Sequence, residues 1–273
     1  MILTNLFPLL YLDPNHEKKF SLPSFAKRIG VSIQNSSAVK YSHVIPVYNE
    51  QDNLLALRDN ILSAMKTIGD SFEVIFVDDG SKDNSRRIIK QICAEDLRFH
   101  LIFFDQNYGQ TSAFDAGFKM AAGDIVITMD ADLQVDAHDA RLLLDKLGEY
   151  DAAVGYRKKR ADNLIKRISS RIGNAVRNKV IDEQIRDVGC PLKVIKRSAL
   201  LHIKLYEGMH RFFPALLGLE GYSVIEVPIN HYPRCRGKSK YTIRNRLFKS
   251  FKDLLAVRWM KKRYLHYHIM EKG

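Results

Sequence analysis

The sequence is poor in the features that mark secreted, membrane-spanning and nucleotide-loop proteins. Its 273 residues include only three cysteines (Cys93, Cys190 and Cys235), an odd number with no C-x-x-C pair. That argues against a disulfide framework or a zinc ribbon and fits free thiols in a reducing compartment. The longest stretch without a charged residue is Met1–Leu12, well short of the ~20 apolar residues that cross a bilayer. It also lacks a basic start and a small-residue cleavage site, so it does not read as a signal peptide. No internal repeat or low-complexity tract is present. Gly237-Lys238-Ser239 is not part of a phosphate-binding P-loop, because Tyr232 stands where that loop needs its first glycine. No G-x-G-x-x-G follows the first apolar run either, so a Rossmann dinucleotide site is unsupported.

What is present is a chain 46% hydrophobic, enough for one large core with appendages, and a formal net charge of +12. The charge is uneven. Residues 234–263 carry twelve Lys or Arg against Asp253 alone, and residues 156–180 carry nine against Asp162. Those segments hold +11 and +8, which leaves −7 for the rest of a chain that totals +12. An acidic body with two basic segments points to a polyanionic partner: nucleic acid, anionic lipid or a phosphorylated substrate.

Residues 1–40, broken by Pro8, Pro14 and Pro23, form an extension of uncertain order. Regular alternation follows. Strands are expected at 42–49, 72–81, 98–105 and 124–130, with helices at 50–69, 83–97 and 109–123 between them. Apolar runs rather than clean alternation fit strands covered on both faces, and βαβ units imply a mostly parallel sheet. Such sheets bind ligands at the carboxyl ends of their strands. "VYNE", "DDGS", "DQNYGQ" and "DADLQ" therefore share one edge.

In "GDIVITMDADLQ" the apolar run ends in Asp130 and Asp132. A solvated turn is the plain reading. Two neighbouring carboxylates also relieve their repulsion by sharing a hard divalent cation such as Mg²⁺, which completes its shell with water and substrate phosphates. Gln134 offers a neutral oxygen nearby. A nucleotide held without a glycine-rich loop needs its diphosphate neutralised in this way, and acids such as Asp78 or Asp79 to hold its base and ribose.

"VIPVYNEQDNL", "VIFVDDGSKDNS", "NYGQTSAFDAGF" and "GDIVITMDADLQ", in this order, resemble a family-2 glycosyltransferase of GT-A fold over roughly residues 41–250. As a set these motifs are specific, though none is alone. "DVGCPLKVIKRSAL", "EGMHRFFPALL" and "RCRGKSKY" further resemble the polyprenyl-phosphate glycosyltransferases, the group of the dolichyl-phosphate mannose synthases. The resemblance implies an α/β GT-A domain at 41–232, with a Rossmann-like, mostly parallel sheet flanked by helices. A basic acceptor-side loop and amphipathic helix would follow at 233–273. It implies inverting transfer from a nucleotide-sugar, with UDP favoured, to a polyprenyl phosphate, using Mg²⁺ or Mn²⁺. Pro46, Tyr48, Glu50 and Asp79 would surround base and ribose, and Asn107, Gly109 and Gln110 would line the nucleotide or sugar. Asp130, Asp132 and Gln134 would take the metal, and Asp187 would lie near the sugar. Arg211, Arg234 and Lys240 would neutralise phosphates. A lipid phosphate is already an anionic nucleophile, so such a site needs cations rather than a strong base.

Two departures accompany the resemblance. Many relatives continue into transmembrane helices, and none is expected here up to Gly273. The "DADLQ" loop also lacks the prolines that usually follow, and Asp136 reads as a helix cap. Residues 243–265 place Leu247, Phe248, Phe251, Leu254, Leu255, Trp259 and Met260 on one helical stripe amid basic residues. Such a helix can lie in an anionic bilayer interface at the inner membrane face, dock a membrane partner subunit, or pack on the domain. The segment 155–179 reads either as a solvated basic helix or as a loop over the acceptor phosphate. His210 and Cys190 read as packing residues, and His266 and His268 as exposed tail residues. A nucleic-acid binder would interleave aromatics with its basic residues on an open platform, whereas here they follow the apolar stripe, so nucleic acid is not expected. The alternatives are a family-2 transferase acting on a saccharide hydroxyl, which would need a carboxylate base, and an inactive membrane adaptor.

Overall fold

The computed structural model describes residues 39–158, 180–181, 185–233, 243–265 and 267–271, all within the compact unit 38–273. The expected alternation is present. Strand β1 (Tyr41–Val47) leads to helix α1 (Leu54–Ile68), β2 (Phe72–Asp78) to α2 (Ser85–Glu95), and β3 (Phe99–Phe103) to α3 (Gln110–Met120). Strand β4 (Ile125–Thr128) is followed by a 3₁₀ turn (Ala137–Asp139) and the short α4 (Ala140–Leu144). Then come β5 (Ala152–Arg157), β6 (Lys193–Lys196), α5 (Arg197–Leu200) and a 3₁₀ turn (Met209–Phe212). Helix α6 (Phe213–Leu219), strand β7 (Val224–Ile229) and helix α7 (Ile243–Arg263) complete the described elements.

The seven strands order as β3-β2-β1-β4-β6-β5-β7. β1 pairs in parallel with β2 and β4, β2 with β3, and β5 with β7, whereas β6 runs antiparallel to both β4 and β5. The fold is therefore a mostly parallel sheet with one reversed strand, of GT-A type.

Helices cover both faces. α1 turns Leu54, Leu57, Ile61, Ala64 and Met65 inward, a helical stripe that meets Ile89 and Ile92 of α2 over Ile45 and Phe76. Each of these leucine, isoleucine, methionine and phenylalanine side chains contributes roughly 1.5–3 kcal/mol relative to exposure. On the other face, Phe114 and Phe118 of α3 pack with Phe213 and Leu217 of α6. α3 comes so close to β1 that a Cβ on Gly117 would lie 2.3 Å from Val44 Cγ1. A third cluster joins Leu254 and Val257 of α7 to Phe212 and Leu216.

At the lower edge, Glu73 accepts from Ser42 Oγ (2.6 Å) and from the Ala122 N–H (2.7 Å), which pins the start of β4 to β1 and β2. With the amino ends clamped, the polar loops gather at the carboxyl ends.

Candidate active site

The loops after β1 and β2 are laced together. Asn49 adopts φ +52 and accepts the Lys82 N–H at 2.7 Å, while its own N–H reaches Ser81 Oγ at 2.8 Å. The Glu50 N–H donates to Ser85 Oγ (3.0 Å), and the Glu50 carboxylate accepts from Asn53 Nδ2 (2.7 Å). Pro46 and Tyr48 stand half-buried at the same end of β1.

Asp78 is fully buried and pairs with Arg86 Nε at 2.7 Å, and the other arm of Arg86 donates to the Phe104 carbonyl. Asp79 organises the neighbouring loop. Its carboxylate accepts from the Tyr108 N–H (2.6 Å), the Gly109 N–H (2.9 Å) and Asn107 Nδ2 (2.9 Å). Burial raises the Asp79 carboxyl above its ordinary range, against the pull of those N–H groups. Between the two loops only a glycine fits. Gly80 has φ +76, and a Cβ there would meet the Gln106 carbonyl carbon at 2.4 Å.

At the end of β4, Asp130 accepts from Gln110 Nε2 at 2.7 Å, and Asp132 accepts the Gln134 N–H at 3.2 Å. Leu133 between them is left-handed, with φ +57. That conformation is costly for a residue with a Cβ, and it is characteristic of a constrained site. The loop thus turns without prolines. Asp136 accepts the His138 N–H (2.9 Å), so it caps the 3₁₀ turn as expected. Burial, then the charge of Asp132, pushes Asp130 up to about 6, while Lys193, Arg157 and Gln110 pull the other way.

Lys193 and Arg157 are the two residues that sequence reasoning missed. Lys193 is 5% exposed, lies opposite Thr128 across β6 and β4, and donates to the Cys190 carbonyl at 2.5 Å. Thr128 Oγ1 holds the next carbonyl, that of Pro191, at 2.8 Å. Arg157 grips Asp187 with two bonds, Nε–Oδ2 at 2.6 Å and Nη2–Oδ1 at 2.8 Å. A lysine followed by Val194 and Ile195 looks like the outward position of a strand, and only the reversed strand β6 brings it beneath the aspartates. The Cys190 thiol is buried and pushed up to about 11, which makes it inert packing.

Of the expected site residues, Pro46, Tyr48, Glu50, Asp78, Asp79, Asn107, Gly109, Gln110, Asp130, Asp132 and Gln134 lie on this one edge. Asp187 reaches it through Arg157. Arg211 sits in the 3₁₀ turn that His210 ties to α3, with His210 Nδ1 2.7 Å from Thr111 Oγ1. Arg234 and Lys240 lie outside the described residues, as does most of 155–179. The chain approaching Arg234 is nonetheless fixed beside the aspartates, because the Tyr232 N–H donates to the Gln134 carbonyl at 3.0 Å.

This edge suits a hard divalent cation. Its side-chain donors are the carboxylate oxygens of Asp130 and Asp132 with the amide oxygen of Gln134, and no group of three His, Cys, Asp or Glu that could hold a metal by itself stands among the described residues. The remaining positions are left to water and phosphate, as Mg²⁺ and Mn²⁺ sites commonly arrange.

The glycosyl transferase family 2 model matches residues 42–203, the span that builds this edge. The chain belongs to that family. Among curated relatives of this family 2 glycosyltransferase, a dodecaprenyl-phosphate galacturonate synthase of Rhizobium johnstonii is 35% identical over 229 residues, 81% of this chain and 67% of the relative. An undecaprenyl-phosphate 4-deoxy-4-formamido-L-arabinose transferase of Yersinia pestis is 36% identical over 228 residues, 81% of this chain and 68% of the relative. The fold also matches solved structures. Glucosyl-3-phosphoglycerate synthase from Mycobacterium tuberculosis, in complex with Mn²⁺, UDP and phosphoglyceric acid, superposes with TM-score 0.60 at 15% identity, over 92% of this chain and 86% of that one. A mannosyltransferase from Pyrobaculum calidifontis, with GDP-Man and Mn²⁺, superposes with TM-score 0.59 at 17% identity, over 90% and 72%.

Proposed function

We propose that this family 2 glycosyltransferase moves a sugar from a UDP-sugar to a polyprenyl phosphate, working peripherally at the inner membrane face with Mg²⁺ or Mn²⁺. The observation that carries the choice of acceptor is the bidentate Arg157–Asp187 pair. A hydroxyl acceptor requires a carboxylate to take its proton, and Asp187, the acid that the family resemblance puts near the sugar, is instead held at 2.6 and 2.8 Å by the Arg157 guanidinium. A phosphate acceptor arrives ionised and needs no base. The prenyl-phosphate names of the two curated relatives support the same reading.

In this reading the Asp79-anchored loop and the loops after β1 and β2 hold base and ribose, while Gln110 orients Asp130. Asp130, Asp132 and Gln134 would hold the cation, which supplies charge neutralisation for the donor diphosphate. An acceptor phosphate oxygen attacks the anomeric carbon as the bond to the nucleotide diphosphate breaks, inverting that carbon, and the nucleotide leaves with the bonding electron pair. Arg157, Lys193 and Arg211 offset the negative charge gathered around the step, a positioning and electrostatic contribution. Arg234 and Lys240 would contact acceptor or donor phosphate.

The test is transfer of radiolabel from a panel of UDP- and GDP-sugars to undecaprenyl phosphate, with either metal. Metal-dependent label in the organic phase, reduced at least about a hundred-fold in Asp132→Ala, is the expected outcome. Label that instead appears in a water-soluble saccharide would replace the lipid acceptor with a hydroxyl one.

A further inference from the structure

Strand β7 ends the sheet beside β5, and Glu226 within it lies opposite Val154 in the parallel pair. A charged residue in an edge strand commonly serves only to face water. Glu226 is instead half-buried, and its Oε1 accepts two successive main-chain N–H groups, that of Arg186 at 2.8 Å and that of Asp187 at 3.2 Å. Those partners stand 40 and 39 residues earlier in the chain. Burial raises the Glu226 carboxyl above its ordinary range; the two N–H groups and the Arg186 charge pull it down, and the charge of Asp187 adds to the rise. Two acids are thus kept close together, at a cost that the N–H bonds offset.

Asp187 is held from both ends. Glu226 takes its main-chain N–H, while Arg157 takes its carboxylate through Nε, Nη2 and its own N–H at 3.3 Å. The Cys190 N–H closes the turn on the Asp187 carbonyl at 3.2 Å. Gly189 leaves room for the guanidinium, since a Cβ there would lie 3.3 Å from Arg157 Nη2. Arg186 rests its guanidinium carbon 5.1 Å from the centre of the Tyr156 ring, one residue before Arg157. A shift of the Arg186–Asp187 main chain would therefore displace both guanidinium groups.

We propose that Glu226 is a positioning residue for sugar transfer: by fixing the Arg186–Asp187 main chain it sets where the Asp187–Arg157 pair presents its positive charge to the acceptor phosphate. This deepens the proposed lipid-phosphate reading and rests on it. Reach and acceptor geometry carry the role, not charge. Glutamine keeps the carbonyl oxygen at the same distance along the side chain, whereas aspartate keeps the charge and falls one methylene short.

The intact chain is compared with Glu226→Gln, Glu226→Asp and Glu226→Ala in transfer from the donor it uses to undecaprenyl phosphate. Glu226→Ala and Glu226→Asp are expected to lower kcat/KM for the lipid phosphate by about ten- to a hundred-fold, with the donor KM and the binding of UDP with Mn²⁺ unchanged. Glu226→Gln should restore kcat/KM to within about threefold of the intact chain. Combined with Arg157→Lys, the loss in Glu226→Ala should fall well short of multiplying, because both changes disturb one pair. Full activity in Glu226→Ala would overturn the inference. So would an active aspartate variant beside an inactive glutamine one, which would assign the role to charge, and so would a loss shared equally by donor binding and acceptor use. If the intact chain labels no lipid, the proposed reaction fails by itself, and amide exchange across residues 185–190 decides the inference separately. Protection in the intact and glutamine chains that is lost in the alanine and aspartate chains sustains it, and equal exchange in all four overturns it.

Discussion

Asp79 commits its carboxylate to the loop after the neighbouring strand, which makes a single side chain the anchor of the Asn107–Gly109 segment. Replacing it with asparagine leaves one carbonyl acceptor for three donors and puts an amide N–H against backbone N–H groups. Asp79→Asn is expected to lower stability by about 1–3 kcal/mol and to raise the donor KM several-fold with a smaller effect on kcat. Thermal unfolding and initial-rate kinetics check both, and an unchanged KM would mean that the loop does not line the donor. At this scale much of the site was legible. Asp78, Asp79, Asp130 and Asp132 stand out because acids that end an apolar run must each find a partner, which Asp78 does in Arg86 and Asp79 in the Asn107–Gly109 loop. Arg157 and Lys193 were not legible, because a basic residue at a strand end or beside a polar turn is ordinary until a partner is seen.

Among the elements, β1 carries a histidine at its centre. His43 is fully buried, with Nε2 3.2 Å from Met65 Sδ of α1, and Nδ1 meets no polar partner. Burial lowers its pKa from 6.5 to about 4. Between those values the unfolded chain binds a proton that the folded chain refuses. Stability is therefore fully present above pH 6.5 and falls as pH drops toward 4. Urea unfolding at pH 7 and 4.5 should show the native protein losing about 2 kcal/mol more than His43→Leu. Equal losses would mean that the imidazole is charged or solvated in the fold. The first three helices and four strands were readable to within a few residues, since βαβ periodicity is local. β5, β6 and β7 were not identified, because short strands without intervening helices of regular spacing carry little pattern.

For the molecule as a whole, the two aspartates and the phosphates of a nucleotide should act as one site. UDP and Mn²⁺ together are expected to raise the melting temperature by roughly 5–10 °C at ligand concentrations near a hundred times Kd. Either alone should give less than half of that, and Asp130→Asn should abolish the synergy. Additive shifts, or full stabilisation by UDP alone, would argue that nucleotide binding does not run through a shared cation. Differential scanning fluorimetry decides between these outcomes. No helix among the described residues is long and apolar enough to cross a membrane.

The sequence by itself determined the α/β class, the sheet edge that holds the acids, the D-x-D pair and the basic character of the C-terminal helix. Each of these is written in local periodicity or in neighbouring residues. Three matters were decided only in three dimensions. The reversal of β6 carries Lys193 under the aspartates, Arg157 closes on Asp187 across a gap of 30 residues, and α7 turns Leu254, Val257 and Met260 into the core while Phe251, Leu255 and Trp259 face outward. All three depend on which strand or helix becomes a neighbour. That choice is made by packing between distant segments, whose contacts leave no mark on the local pattern of either one.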